Sequence, residues 1–165
     1  MGSARTIGRR VEVRRPVSRP LSEPILHRVF VYGTLKEGFP NHARNAGTRL
    51  VGDYRTRERY PLLLVGERYS PWLVLDEGEG YRVSGQVFLV DDEALDALDR
   101  LERVTEVDGY RRLRIGVVAR SSGDESEAFA YLKPAALLAH AAVREGPLHN
   151  YTLENALRYR RRIPA

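Results

Sequence analysis

Two places in this chain combine residue types that can do chemistry. The first is Glu102. In the stretch Glu93–Glu102, Leu95, Leu98 and Glu102 fall at i, i+3 and i+7, so at about 100° per residue the carboxylate lies within roughly 20° of Leu95, on the apolar face of a helix. Asp96, Asp99 and Arg103 point more nearly to water. A carboxylate turned toward a core is desolvated, which raises its pKa and makes it a candidate general acid or base. The alternative reading puts Glu102 in a frayed last turn, paired with Arg111 or Arg112. The second place is Tyr32-Gly33-Thr34-Leu35, where an apolar run ends in a glycine turn. The spacing is not that of a phosphate-binding P-loop. Backbone N–H groups released from strand pairing at Gly33 would form a concave set of donors for a carboxylate or an oxyanion; otherwise the segment is only a turn.

Other candidates are weaker. Trp72 and Tyr110 either line a pocket or pack in the core, as single aromatics in strand segments commonly do. Arg112 either balances Glu102 or braces a turn. His27, His42, His140 and His149 show no metal-ligand spacing, so no metal is expected. With no cysteine in the chain, a disulfide framework, a thiolate metal site and a cysteine nucleophile are all excluded.

The elements that position these residues belong to a chain of 165 residues, 42% hydrophobic and 30% charged, with 14 glycines and 9 prolines. That is the composition of one globular domain. No run approaches the roughly 18 apolar residues of a membrane span. The net charge of +5 has a local origin: residues 1–28 hold seven arginines against two glutamates, and residues 29–165 balance at 20 basic to 20 acidic. The surplus therefore belongs to an arm, 1–26, expected to be flexible, while 27–165 forms the domain. The arm reads as native, as an organelle transit peptide or as an expression remnant. Nucleic-acid binding needs a structured basic surface and is not expected. Nothing calls for an oxidising compartment, so a cytoplasmic monomer is the expectation.

His27–Tyr32, Ser84–Val90, Tyr110–Val118 and Ala128–Leu132 read as strands, and Pro61–Val65 with Trp72–Leu75 as a hairpin or two brief strands. Asp91 or Asp92 caps the helix that carries Glu102. A second helix is expected after Pro134 and a third from Thr152. About six strands and two or three helices without strict alternation define an α+β class with a mostly antiparallel sheet, open or closed.

Several motifs in order carry a family resemblance. Val29-Phe30-Val31-Tyr32-Gly33-Thr34-Leu35-Lys36, then Gly38 and Pro40-Asn41-His42, are followed by Tyr60-Pro61-Leu62, Gly66-Glu67, Pro71-Trp72-Leu73, Gly85-Gln86-Val87-Phe88, Leu98-Asp99-Arg100-Leu101-Glu102 and Tyr110-Arg111-Arg112. Over roughly residues 28–132, with a weaker echo at Glu145-Gly146-Pro147, the chain resembles the γ-glutamylcyclotransferase-like (AIG2-like) family, and most closely its γ-glutamylamine cyclotransferase branch. The closing segment departs from the family pattern.

The resemblance implies a small β-barrel flanked by helices and a cofactor-independent enzyme of the carbon–nitrogen lyase or acyltransferase type. Its substrate would be a small γ-glutamylamine such as γ-glutamyl-ε-lysine, cleaved to 5-oxoproline and the free amine. Glu102 would be the general base and acid, the Tyr32-Gly33-Thr34-Leu35 turn would hold the glutamyl head, and Trp72 and Tyr110 would line the leaving-group side. Two other functions remain open on the sequence. One is removal of a γ-glutamyl protecting group from a specialised metabolite by the same chemistry. The other is a non-catalytic binding module, against which Glu102 on an apolar face argues, since leucine there would be more stable.

Overall fold

The computed structural model describes residues 23–163. Most of the expected basic arm, 1–22, lies outside the described residues; Glu23–Leu26 is exposed coil leading into the first strand.

Among the described residues nine strands form, β1 (His27–Val31), β2 (Thr48–Arg49), β3 (Tyr54–Thr56), β4 (Leu62–Val65), β5 (Ser70–Leu75), β6 (Ser84–Val90), β7 (Arg111–Ala119), β8 (Glu125–Pro134) and β9 (Val143–Glu145). The helices are α1 (Asp92–Leu101), α2 (Leu153–Ala156) and two 3₁₀ segments, His42–Arg44 and Ala135–His140. The helix expected after Pro134 is thus the second of these 3₁₀ segments, and the one opened by Thr152 is a single turn. No helix among the described residues is long and apolar enough to cross a membrane.

The strand order β1-β6-β3-β7-β8 closes through a parallel pairing of β1 with β8 at Val29 and Phe129. Closure leaves these five strands without a free edge. β5 joins β8 in parallel and extends the sheet through β4 to β9; every other pairing is antiparallel.

The period of two in β1 divides the core. Phe30 and Tyr32 face the barrel interior with Leu62, Leu73, Val87, Val117 and Leu132. Val29 and Val31 face outward, where Leu95 and Leu98 of α1 cover them together with Phe88 and Tyr131. At about 25 cal/mol per Å² of apolar area, this second layer is what fixes α1 to the barrel wall. Its start is set by Asp91, whose side chain accepts a 2.8 Å hydrogen bond from Ala94 N, with Asp92 and Glu93 in the first turn where the helix dipole favours them.

Candidate active site

The helix α1 ends one residue earlier than the sequence pattern suggests, and Glu102 is its C-cap at φ −86°, ψ 1°. The backbone holds it from both sides: its N–H donates to Leu98 O at 2.9 Å, and its carbonyl accepts from Tyr110 N at 3.0 Å. The intervening loop folds back tightly. Arg103 sits at φ +53°, and a Cβ on Gly109 would lie 1.8 Å from the Arg103 carbonyl oxygen, so only glycine allows that approach.

The backbone of Glu102 is thereby fixed while its carboxyl is free. Among the described residues it makes no ion pair and no hydrogen bond. Arg112, expected as one partner, is bound instead to Asp99 Oδ2 at 2.7 Å, and Arg111 donates to the carbonyls of Val104, Glu106, Gly109 and Tyr110. Asp99, expected to face water, also accepts from Tyr131 Oη at 2.7 Å, so it ties α1 to β7 and β8. Burial pushes the Glu102 carboxyl up to about 7, with the cations Lys133 and Arg68 pulling it back down. It lines a cavity of about 330 Å³.

The turn after β1 lines the same cavity. Its carbonyls are engaged: Gly33 O accepts from Lys36 N at 3.2 Å, and Thr34 O from Asn41 N at 2.8 Å. Asn41 Nδ2 also donates to Thr34 Oγ1 at 3.0 Å. The N–H groups of Gly33, Thr34 and Leu35 have no acceptor among the described residues. The turn therefore offers spare donors to the cavity it lines. Glycine is needed at 33 for space, since a Cβ there would sit 2.7 Å from Pro71 Cγ. The Tyr32 hydroxyl is not free: it donates to Tyr131 O at 2.7 Å, so Tyr32 contributes wall and backbone.

All seven residues singled out in the sequence, Tyr32, Gly33, Thr34, Leu35, Trp72, Glu102 and Tyr110, line this one cavity. Tyr110 is fixed by its hydroxyl, which donates to Pro71 O at 2.8 Å. Two residues that no local pattern marks complete the site. Lys133 is 6% exposed, and its ammonium lies between two aromatic faces, 4.5 Å from the Trp72 ring centre and 4.4 Å from that of Tyr110. Burial lowers it to about 8, against the opposing pull of Asp108 and Glu102. Arg68, half-buried, lines the same cavity.

The C-terminal rim is also ordered. Arg160 N donates to Arg68 O at 2.9 Å, Asn41 Nδ2 to Tyr159 Oη at 3.0 Å, and the Arg161 guanidinium to Pro40 O. A carboxyl raised toward neutrality and N–H donors unused among the described residues, in the lining of one cavity, can move a proton while an anionic group is held.

The sequence profile of γ-glutamyl cyclotransferase, AIG2-like, matches residues 29–152. The chain belongs to the γ-glutamyl cyclotransferase, AIG2-like family. Among its relatives, γ-glutamylaminecyclotransferase B of Danio rerio is 39% identical over 113 residues, covering 64% of this chain and 58% of that protein. The γ-glutamylaminecyclotransferase of Bos taurus is 38% identical over 108 residues, covering 62% and 63%. The matched region thus spans about three fifths of the length of these two relatives. The crystal structure of an AIG2-like protein from Mus musculus superposes with a TM-score of 0.69 at 30% identity, covering 85% of this chain and 99% of the mouse chain. The family profile extends through Thr152, past the end of the continuous resemblance read at residue 132, and so takes in β9 and the Gly146-Pro147 segment.

Proposed function

We propose that this member of the family is a γ-glutamylamine cyclotransferase that releases 5-oxoproline and a free amine, with Glu102 as base and then acid. One observation carries the reading: a carboxyl raised to about 7 by burial, with no partner among the described residues, lines the same cavity of about 330 Å³ as Gly33, Thr34 and Leu35, whose N–H groups find no acceptor there. The names of the relatives from zebrafish and cattle support the substrate class.

The chemistry needs only those groups. The turn holds the substrate α-carboxylate, and the chain of the glutamyl unit folds so that its α-amine meets its δ-carbonyl. Glu102 takes a proton from the amine as the ring C–N bond forms. The same proton passes to the leaving nitrogen as the amide C–N bond breaks, because an amide nitrogen leaves poorly as an anion. Burial suits both halves of this cycle, since a group with a pKa near 7 accepts and returns a proton at little driving-force penalty near neutral pH. Orientation supplies much of the rate, as aligned intramolecular reactions reach effective molarities of about 10⁵ M or more.

The test is incubation of the protein with γ-glutamyl-ε-lysine, γ-glutamyl-alanine and glutathione, following 5-oxoproline by mass spectrometry. Release from the lysine compound, lost in Glu102→Gln, is the expected result. Full activity in Glu102→Gln removes Glu102 from the role. No 5-oxoproline from any γ-glutamyl compound overturns the cyclotransferase reading.

A further inference from the structure

A second cavity, about 530 Å³, adjoins the first, and five residues line both: Arg68, Ser70, Trp72, Lys133 and Arg162. Its position on the Trp72 side of Glu102 makes it the space open to whatever is attached to a γ-glutamyl group held at the turn. The charge of these two cavities is one-sided. Seven cationic side chains line the first against the single carboxylate of Glu102. Among the described residues, Arg103 is the one of them in an ion pair, at 3.1 Å from Asp108. The second adds Arg144, opposed by Glu67 and by the Asp108 already engaged with Arg103.

The glutamyl head accounts for little of this. It brings one carboxylate, for which the N–H groups of the turn are already available. Lys133 is the decisive group, because its ammonium is buried in the common wall and held by the faces of Trp72 and Tyr110. An ammonium has three donors. Lys133 spends one on Asp108 O, and it makes no other hydrogen bond among the described residues. Its remaining donors serve the two cavities that it lines. The segment bearing Arg162 is fixed by the bonds of Tyr159, Arg160 and Arg161 to Asn41, Arg68 and Pro40, so that charge too is presented from an ordered rim.

Resting on the cyclotransferase reading, we infer that the second cavity is a subsite for an anionic group, a carboxylate or a phosphate, carried on the leaving amine. A cationic leaving amine such as a polyamine meets a field of its own sign and is rejected. The subsite would thus accept the carboxylate end of lysine and disfavour its α-ammonium.

Lysine can be dissected to test this. Three γ-linked glutaryl amides, of 6-aminohexanoate, n-pentylamine and 1,5-diaminopentane, keep the linkage and chain of γ-glutamyl-ε-lysine while presenting an anion, no charge or a cation. They lack the α-amine, so they cannot cyclise, and their binding to the full-length protein is read by calorimetry at low salt. The expected order is anion, neutral, cation, with about tenfold or more between the extremes, narrowing as salt is raised. Arg144→Gln and Arg162→Gln, both exposed and therefore safe for folding, reduce that ratio. Equal affinities, tighter binding of the cation, or no binding of any of the three overturns the subsite. The corresponding γ-glutamyl amides, assayed for 5-oxoproline, separate the two ideas. Turnover without a charge ranking overturns the subsite and keeps the cyclotransferase; a ranking in binding without turnover does the reverse.

Discussion

Replacing Glu102 by glutamine should abolish turnover and, in the same protein, raise stability at neutral pH. The folded-state pKa of Glu102 is about 7 against an ordinary 4.5, a gap that at about 1.4 kcal/mol per pH unit corresponds to about 3 kcal/mol as an upper bound. The sign follows from linkage. Below pH 4.5 the carboxyl is protonated in both the folded and the unfolded chain and contributes nothing. Between 4.5 and 7 the unfolded chain ionises first, so stability falls as pH rises. Above 7 both forms are ionised and the whole penalty is present. Glutamine is neutral throughout and nearly isosteric, so its advantage is absent near pH 4, grows between about 4.5 and 7, and levels off above. For a domain of this size, 3 kcal/mol is roughly 6–12 °C in Tm. Thermal unfolding of both proteins at pH 4, 6 and 8 measures it directly. A Glu102→Gln protein whose Tm follows that of the parent at all three values would refute the claim that burial holds this carboxyl near neutrality.

Three further outcomes are expected. The pH profile of kcat should show an acidic limb near 7, with about a tenth of the plateau rate at pH 6, and Lys133→Met should move that limb to higher pH because it removes a cation that favours the ionised Glu102; a limb unmoved in the variant would disconnect the two residues. Gly33→Ala should lose about 1–3 kcal/mol by denaturant unfolding, because its new Cβ meets Pro71 at 2.7 and 3.2 Å, and kcat/KM should fall with it, since Pro71 O anchors Tyr110; wild-type stability would mean that the wall yields freely. Asp99→Ala should destabilise by about 1–3 kcal/mol in the same assay, as it leaves the hydroxyl of buried Tyr131 and the Arg112 guanidinium without their acceptor.

What the sequence makes legible follows from how local each signal is. The apolar runs of β1, β4, β5, β6, β7 and β8 carry their own burial pattern, and the spacing of Leu95 and Leu98 carries α1. The strands β2, β3 and β9 are two or three residues long and exist because a neighbour offers a ladder: Thr48 pairs with Leu89, Tyr54 with Gly85 and Glu145 with Leu64. No period can be read in so few residues. The 3₁₀ segment after Pro134 has the composition of a helix, but none of its residues is fully buried, and Leu138 packs against the small cluster of Leu63, Val65 and Val74. At the site, the periodicity brought Glu102 to notice, and the cap geometry shows how the two readings of it combine: the residue is at the helix end, yet neither arginine proposed as its partner is available. Lys133 and Arg68 reach the cavity from β8 and from the turn between β4 and β5, a meeting that no spacing along the chain announces. The available hint was rarity. The chain has 25 arginines and two lysines, and both lysines, Lys36 and Lys133, are buried; a compact ammonium fits where a planar guanidinium does not.

The cation sandwich has a practical side. Trp72 is the one tryptophan in the chain, it stands in the wall common to both cavities, and a charged amine hangs over its ring. Indole emission responds to a charge held against its face, so anything that enters either cavity and draws Lys133 away changes the colour and yield of the protein's fluorescence. The protein carries its own optical reporter of occupancy, readable in a stopped-flow cell without a label, in the wall that the two cavities share.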